Sequence, residues 1–275
     1  TRADLFHAGS VMYAVQDYKG AIEKFSKMES RIDSVGQVAN YQLAFSYIKV
    51  GNKVAASDAF RDASQVGYDT KIQEDAWFNY AKLAFDLNSD MSVFGGYLQQ
   101  YPNTSRKEQI FNYLAIAALN AKDYAAAIEA YSNIEELNDE QLSNYLKANY
   151  LRASQLASGG AWTDAAPYFR SASFNLPKND RYAQLARFWL AESLFNSGNY
   201  ADAAEVYEDL YNISALYNRS EGRMLSYDLG YANFNQAKYE AAARWFDQYI
   251  KDGDPAGRKD ALVRRADCDF ARHNY

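Results

Sequence analysis

The stretch Phe188–Tyr207, FWLAESLFNSGNYADAAEVY, decides the fold of this 275-residue chain. Its apolar residues recur at helical spacing on both sides of the turn sequence SGN, which predicts a helix, a tight turn and a second helix. Ala203 and Tyr207 are four residues apart and therefore share one face of the second helix. A small side chain lets two helix axes approach closely, and an aromatic ring one turn away fills the groove beside it. The stretch predicts a closely packed helix pair.

The same arrangement returns along the whole chain. A Gly or Ala recurs every 34 to 39 residues, at Gly9, Ala44, Ala81, Ala115, Ala153, Ala191, Gly230 and Ala266. A second small residue precedes an aromatic residue by four positions in the pairs Ala21 and Phe25, Ala56 and Phe60, Ala127 and Tyr131, Ala165 and Phe169, Ala203 and Tyr207, and Ala242 and Phe246. A fixed period of this length predicts stacked helix pairs, one per repeat.

An aromatic residue opens most of the predicted second helices. These openers are Tyr18, Tyr124, Trp162, Tyr200 and Tyr239. Asp17, Asp123 and Asn199 stand directly before three of them, where a side-chain oxygen can accept hydrogen bonds from the free backbone N–H groups of the first helical turn. We therefore expect Asp and Asn to cap the second helices.

These positions resemble the tetratricopeptide repeat, and the resemblance covers the whole chain. Its signature positions are matched by Leu190, Ala191, Leu194, Gly198, Tyr200, Ala203 and Tyr207, and again by Leu229, Gly230, Ala232, Tyr239, Ala242 and Phe246. The resemblance implies an all-α fold, a right-handed α–α superhelix of about seven helix pairs plus one extra helix. It also implies a single array over residues 1–275. Tyr275 occupies an opener position, so we expect a fragment cut in the middle of a repeat.

One repeat departs from the pattern. In residues 76–101, Val93 and Phe94 stand where the small residue of the second helix is expected, and Met91 stands near the opener position. The register of this helix is therefore open by one residue. Several repeats are also longer than the family's usual unit, which predicts an irregular bend of the array.

In the resembled family, the first helix of each pair lines a concave groove, and the residues flanking its small position reach into that groove. The resemblance therefore implies a peptide groove formed by Phe6, Tyr41, Gln42, Phe45, Phe78, Asn79, Lys82, Asn112, Phe188, Glu192, Tyr227 and Tyr231. Aromatic anchors accompanied by a few amides suit an extended or helical peptide. The alternative for each single ring is packing, because an aromatic residue at helical spacing is explained by the core alone.

A subfamily of these repeats grips the C-terminal carboxylate of its partner through Lys and Asn side chains on successive first helices, using charge-assisted hydrogen bonds. Here the corresponding Lys positions hold Phe6, Tyr41, Phe188 and Tyr227. The sequence therefore predicts that this carboxylate clamp is absent.

Composition and charge argue against several other classes of function. With 29 basic and 35 acidic residues the net charge is −6, which offers no basic stripe for nucleic acid. No apolar run approaches the roughly 20 residues that cross a bilayer. His7 and His273 stand far apart in sequence, and neither has the spacing of a metal site or a nucleophile–base pair. We expect no metal, no cofactor and no catalysis.

The sequence therefore predicts a non-catalytic scaffold that binds a protein or peptide. Two alternatives stay open at this point: a regulatory or substrate-recruiting arm of a larger enzyme, and a module that binds polysaccharide or peptidoglycan through its aromatic rings. Long repeats with Tyr-rich second helices are similar to those of bacterial cell-envelope proteins that coordinate assembly. This analogy gives a small preference to the envelope or periplasm over the cytoplasm.

Overall fold

The computed structural model describes residues 1–29, 32–173, 176, 180–213 and 220–273. Within these ranges the chain forms fifteen α-helices and no β-strand, which confirms the all-α prediction. The helices are α1 Arg2–Ala14, α2 Tyr18–Ser26, α3 Ser34–Lys49, α4 Lys53–Ser64, α5 Thr70–Asn88, α6 Ser92–Gln100, α7 Lys107–Asn120, α8 Tyr124–Tyr131, α9 Asp139–Ser158, α10 Trp162–Ser173, α11 Arg181–Asn196, α12 Tyr200–Tyr211, α13 Ser220–Asn235, α14 Tyr239–Asp252 and α15 Arg258–Ala271. Odd-numbered helices are the first helices of the pairs, and even-numbered helices are the second.

The helices gather into two compact units, Thr1–Ala117 (unit 1) and Ala118–Tyr275 (unit 2). In unit 1 the largest core cluster is built from α2, α3, α4 and α5 around Phe25 and Phe60. In unit 2 it extends over α9 to α13 and includes Phe169 and Tyr207. A single array over 1–275, ending in a cut repeat, stays a prediction, and Tyr275 lies outside the described residues.

The turn between a first and a second helix has the same backbone geometry in most pairs. One residue takes a left-handed conformation, for example Gly198 with φ 81° and Ala237 with φ 56°. The next N–H then bonds back into the first helix, as Asn199 N does to Leu194 O at 2.9 Å. These bonds satisfy carbonyl groups that the helix end leaves free. The sequence SGN in the deciding stretch is this turn.

Side-chain caps start some of the second helices. Asp17 accepts from Gly20 N at 3.0 Å, and Asp123 accepts from Ala126 N at 3.1 Å, as expected. The expectation is wrong for Asn199, whose side chain makes no capping bond to α12. The repeated turn geometry is present there nevertheless, because it depends on the left-handed residue rather than on the cap.

The small and aromatic residues pack as the spacing predicts. All six small–aromatic pairs of the second helices are buried. The tightest contacts involve glycine: a Cβ at Gly230 would lie 2.6 Å from Phe246 Cε1, and a Cβ at Gly9 would lie 2.6 Å from Phe25 Cε1. Seven of the eight small residues of the first helices are buried, but Ala266 is exposed. The described residues contain no second helix that packs on α15 from that side.

Helix α6 settles the irregular repeat. Its buried residues are Phe94 and Tyr97, both with no exposed surface, whereas Val93 is half-buried. Phe94 stacks on Tyr113 of α7 with ring centroids 5.4 Å apart. A large ring therefore takes the place of the expected small residue in this helix.

Candidate peptide-binding face of the first helices

The candidate site is a face of the first helices. The residues three before and one after each small residue are four apart, so they share one side of the helix. We call this side the first-helix face; it includes the pairs Tyr41 and Phe45 on α3, Phe78 and Lys82 on α5, Phe188 and Glu192 on α11, and Tyr227 and Tyr231 on α13. Most of these side chains are half-buried, and Phe78 and Phe188 are buried.

In unit 1 a carboxylate fixes this face. Tyr41 Oη donates to Asp75 Oδ2 at 2.6 Å, and Asn79 Nδ2 donates to the same oxygen at 2.9 Å. The guanidinium of Arg106 pairs with Asp75 Oδ1. Burial, and then the hydrogen bond to Asp75, raises the pKa of Tyr41 above its usual range. These bonds join α3, α5 and the segment before α7 into one network, which fixes the orientation of the Tyr41 ring.

The rings of unit 1 pack edge to face. Tyr41 and Phe45 have centroids 5.0 Å apart, and Phe45 lies 5.0 Å from Phe60 of the second helix α4. The Arg106 guanidinium lies over the Phe78 ring at 4.5 Å, a cation–π contact. The rings of this face are therefore part of the packing between helices as well as part of its surface.

The remaining predicted groove residues of unit 1 lie in the same region of their helices. Phe6 on α1 packs against Phe25 with centroids 6.5 Å apart. Gln42 Oε1 on α3 accepts from Ser10 Oγ on α1 at 3.0 Å. Asn112 is half-buried on α7.

Unit 2 repeats the tyrosine–aspartate arrangement. The hydroxyl groups of Tyr227 and Tyr231 both donate to Asp260 Oδ2 on α15, at 2.8 and 2.5 Å. Arg264 Nε in turn donates to Tyr231 Oη at 3.2 Å. These hydrogen bonds, that of Tyr231 first, lower the pKa of Asp260. Asp75 and Asp260 both stand six residues before the small position of their helices. We call this hydrogen bond, from a tyrosine of one first helix to an aspartate of the next, a rung. The rung between Tyr227 and Asp260 in unit 2 corresponds to the rung between Tyr41 and Asp75 in unit 1.

Unit 2 also holds two partly buried carboxylates near each other. Tyr207 Oη on α12 donates to Glu192 Oε1 on α11 at 2.5 Å. Asp228 on α13 has an inaccessible Oδ2 without a hydrogen-bond partner. Burial first, and the neighbouring Glu192 second, raise the pKa of Asp228 well above its usual range. Burial also raises the pKa of Glu192. The pKa of Asp228 therefore lies well above that of an exposed aspartate, which the sequence reasoning did not predict.

A cavity of about 520 Å³ opens on the first-helix face of unit 2. Tyr150 lines it and stands three residues before Ala153, as Tyr41 does before Ala44. Sequence reasoning named the equivalent residues of other repeats but omitted Tyr150. The same spacing rule, applied to α9, identifies it.

His7 and Cys268 lie on two different helices of the described residues. No group of three or more His, Cys, Asp or Glu side chains within them could hold a metal ion. His7 is exposed on α1, whereas Cys268 is buried on α15 and burial raises the pKa of its thiol. Among the helices of the described ranges, none has both the length and the apolar character needed to cross a bilayer.

The deciding stretch matches a known family. Residues 178–218 match the family model of the tetratricopeptide repeat. Buried small–aromatic pairs with the spacing of Ala203 and Tyr207 return in α2, α4, α8, α10 and α14. Residues 178–218 are thus similar to the tetratricopeptide repeat, a family whose repeats generally act as non-catalytic modules that bind proteins or peptides. No curated protein matches the chain.

Solved repeat structures are similar to the chain at low identity. The TPR2AB domain of yeast Sti1 in its pHSP90 complex is 16% identical, with 99% of this chain and 97% of that chain covered and a TM-score of 0.44. A tetratricopeptide repeat protein from Parabacteroides merdae is 15% identical, with 96% and 98% covered and a TM-score of 0.42. The Naa15/Naa10 complex with HypK gives 16% identity, 97% and 39% coverage and a TM-score of 0.49. At these values the likeness says nothing about ligands.

Proposed function

We propose that the chain is a non-catalytic scaffold that binds a protein or peptide partner on the first-helix faces of its two units. The observation that carries this proposal is the tyrosine–aspartate hydrogen bond present in both units, between Tyr41 and Asp75 and between Tyr227 and Asp260. It holds half-exposed rings in fixed orientations on the face that the family uses for binding.

Fixed rings favour binding for a physical reason. A side chain already immobilised in the free protein loses less conformational entropy when a partner docks, so more of the contact energy contributes to affinity. The hydroxyl groups of Tyr41, Tyr227 and Tyr231 are engaged by carboxylates. The rings therefore contribute apolar surface more than hydrogen bonds, which suits apolar side chains of a partner.

The mode of binding differs from capture of a C-terminal carboxylate. At the positions where a clamp would place Lys, Phe188 is buried and Tyr41 and Tyr227 donate to Asp75 and Asp260. No ammonium group is presented there. We therefore propose that these faces bind an internal segment of the partner rather than its C-terminal carboxylate.

A role in cell-envelope assembly, and an envelope location, rest on the long Tyr-rich repeats alone. A recruiting arm of a larger enzyme would use the same first-helix faces.

Site-specific photo-crosslinking in the cells that produce the protein tests the proposal. A photoreactive phenylalanine analogue replaces Lys82 on α5 or Ser154 on α9, both one residue after a small position. Matched controls carry it at the exposed residues Val54 on α4 and Asp209 on α12, which belong to second helices. We expect a discrete protein adduct from the first-helix positions. Adducts of equal yield from the second-helix positions would contradict the proposal.

A further inference from the structure

The cavity on unit 2 has a mostly apolar wall. Helix α9, the end of α10, Leu176 and the start of α11 enclose its volume of about 520 Å³. Its apolar lining consists of Leu142, Leu146, Tyr150, Leu151, Ala172 and Leu176. Cavities of this size with apolar walls and few polar groups are ordinary binding sites, because filling them removes apolar surface from water. We call this space the α9 cavity.

An exposed aromatic ring stands at the rim. Tyr182 on α11 lines the cavity and keeps 69% of its surface exposed, whereas Leu146 at the wall keeps 7%. Backbone N–H groups at Tyr182 and Ala183 are bonded to the Asp180 side chain at 2.8 and 2.9 Å, which fixes the start of α11 beneath the ring. An apolar group entering the cavity would therefore gain contact with a ring that otherwise faces solvent.

Among the described residues that line the cavity, the acidic ones outnumber the basic ones. Asp139 in the first turn of α9 and Asp180 at the start of α11 line the cavity, together with one cation, Lys147. Neither Asp139 nor Lys147 forms an ion pair within the part of the chain that the structure describes. Burial raises the pKa of the Tyr150 phenol, and the negative charge of Glu221 on α13 raises it further. The field at the rim favours a positively charged ligand.

We propose that the α9 cavity receives one large apolar side chain of an extended partner segment, with a Lys or Arg adjacent to it that meets the acidic rim. This inference rests on the proposed function and narrows it to a ligand chemistry. A peptide fits better than a small apolar molecule, because the charges lie at the rim while the lining is mostly Leu and Ala.

Fluorescence anisotropy with the full chain and defined peptides tests this. The probe is a fluorescein-labelled nonapeptide with a central Lys-Phe-Lys in a Gly-Ser background. Two matched peptides replace Phe by Ser or both Lys by Glu. We expect each replacement to weaken binding by about tenfold or more, since each removes one source of complementarity. Equal binding of the three peptides overturns the proposal.

Two variants locate the peptide. Ser143→Trp places a large ring in the cavity from an exposed position, and we expect at least tenfold weaker binding; Ser158→Trp at the exposed end of α9 is the control. Lys147→Glu removes the only cation among the described residues that line the cavity, and we expect several-fold tighter binding of the Lys-Phe-Lys peptide. Lys251→Glu, with a side chain that is 77% exposed on α14, is its control and leaves the affinity unchanged. Circular dichroism checks that each variant is folded.

Other results separate the two proposals. If N-acetyl-phenylalanine amide binds as tightly as the nonapeptide and competes with it, the cavity takes a small molecule and this inference is wrong. If Lys147→Glu fails to strengthen peptide binding, the role of the rim is wrong. In either case, partner adducts at Lys82 in the crosslinking experiment would still support the general scaffold. Loss of those adducts, with peptide selectivity intact, would instead contradict the general proposal alone.

Discussion

Tyr41 Oη donates a 2.6 Å hydrogen bond to Asp75 Oδ2, and this bond joins the first helices of two successive repeats. Tyr41→Phe removes the donor and keeps the ring contacts with Phe45. A hydrogen bond to a charged group contributes roughly 1.5–3 kcal/mol. Because Asp75 keeps its other partners in the variant, we expect a smaller loss, a fall of about 1–2 kcal/mol in the free energy of unfolding. Urea denaturation measures the change.

Tyr68→Phe is the matched control for this variant. Tyr68 is 68% exposed, so loss of its hydroxyl should change stability by less than about 0.5 kcal/mol. Equal losses for the two variants would show that the rung between Tyr41 and Asp75 does not stabilise the fold.

The contact between Gly230 and Phe246 can be tested from both sides. Gly230→Ala forces a methyl group against a buried ring, and we expect a loss of about 1–3 kcal/mol. Phe246→Ala leaves a cavity and should cost about 3–5 kcal/mol. The double variant should lose less than both single changes together, since the methyl group then occupies vacated space. Additive losses would contradict the assigned contact.

Gly95→Ala provides the control for this glycine. Gly95 lies within α6, and nothing comes within 4 Å of a Cβ placed there. The substitution should stabilise the protein by about 0.5–1 kcal/mol, because Ala is the better helix former. A loss at Gly95 comparable with that at Gly230 would mean that the contact with Phe246 is not the cause.

Asp228 should make stability depend on pH. Burial raises its pKa in the folded protein above that of the unfolded chain. Below the unfolded pKa, about 3.9, both states are protonated and burial of the group costs least. As the pH rises above that value, the unfolded chain ionises first, the folded state binds more protons, and stability falls. Each unit by which the pKa is raised corresponds to about 1.4 kcal/mol of this loss.

Asp228→Asn removes this titration. We expect the variant to gain melting temperature relative to the parent at pH 7 to 8, and the gain to shrink near pH 4. Asp209→Asn, at an exposed position of α12, is the control and should follow the parent at every pH. A constant offset between the Asp228 variant and the parent across this range would contradict a raised pKa.

Cys268 should react slowly in the native protein. Its side chain has no exposed surface, and burial raises the pKa of the thiol, so both access and the thiolate fraction are reduced. We expect reaction with Ellman's reagent to be more than about tenfold slower than in 6 M guanidinium chloride at pH 8. A native rate close to the denatured rate would show that α15 opens readily.

The sequence predicted the packing of the helix pairs because that packing depends on local spacing. Ala203 and Tyr207 share a face wherever the segment is helical, so their burial follows from the helix alone. Ala266 shows the limit of the same rule. Its spacing is correct, but burial also requires a second helix on the other side, and the described residues supply none.

The rungs of the first-helix face were harder to predict. Tyr41 and Asp75 are 34 residues apart, and Tyr227 and Asp260 are 33 apart. A Tyr followed by an Asp one repeat later is therefore the signal, but it is readable only once the repeats are known to stack in register. The raised pKa of Asp228 depends on its burial and on Glu192 of another helix, and no spacing in the sequence encodes it.

The rungs limit how freely the repeats of this chain can be exchanged. Excising the repeat formed by α3 and α4 would bring α5 behind α1, where Phe6 occupies the position of Tyr41 and carries no hydroxyl for Asp75. In the shortened array the Asp75 carboxylate would lose one hydrogen-bond donor, and the Phe6 ring would stand in the place of the Tyr41 ring. When repeats are shuffled, deleted or duplicated, by evolution or by protein engineers, each tyrosine therefore has to move together with the aspartate of the following repeat.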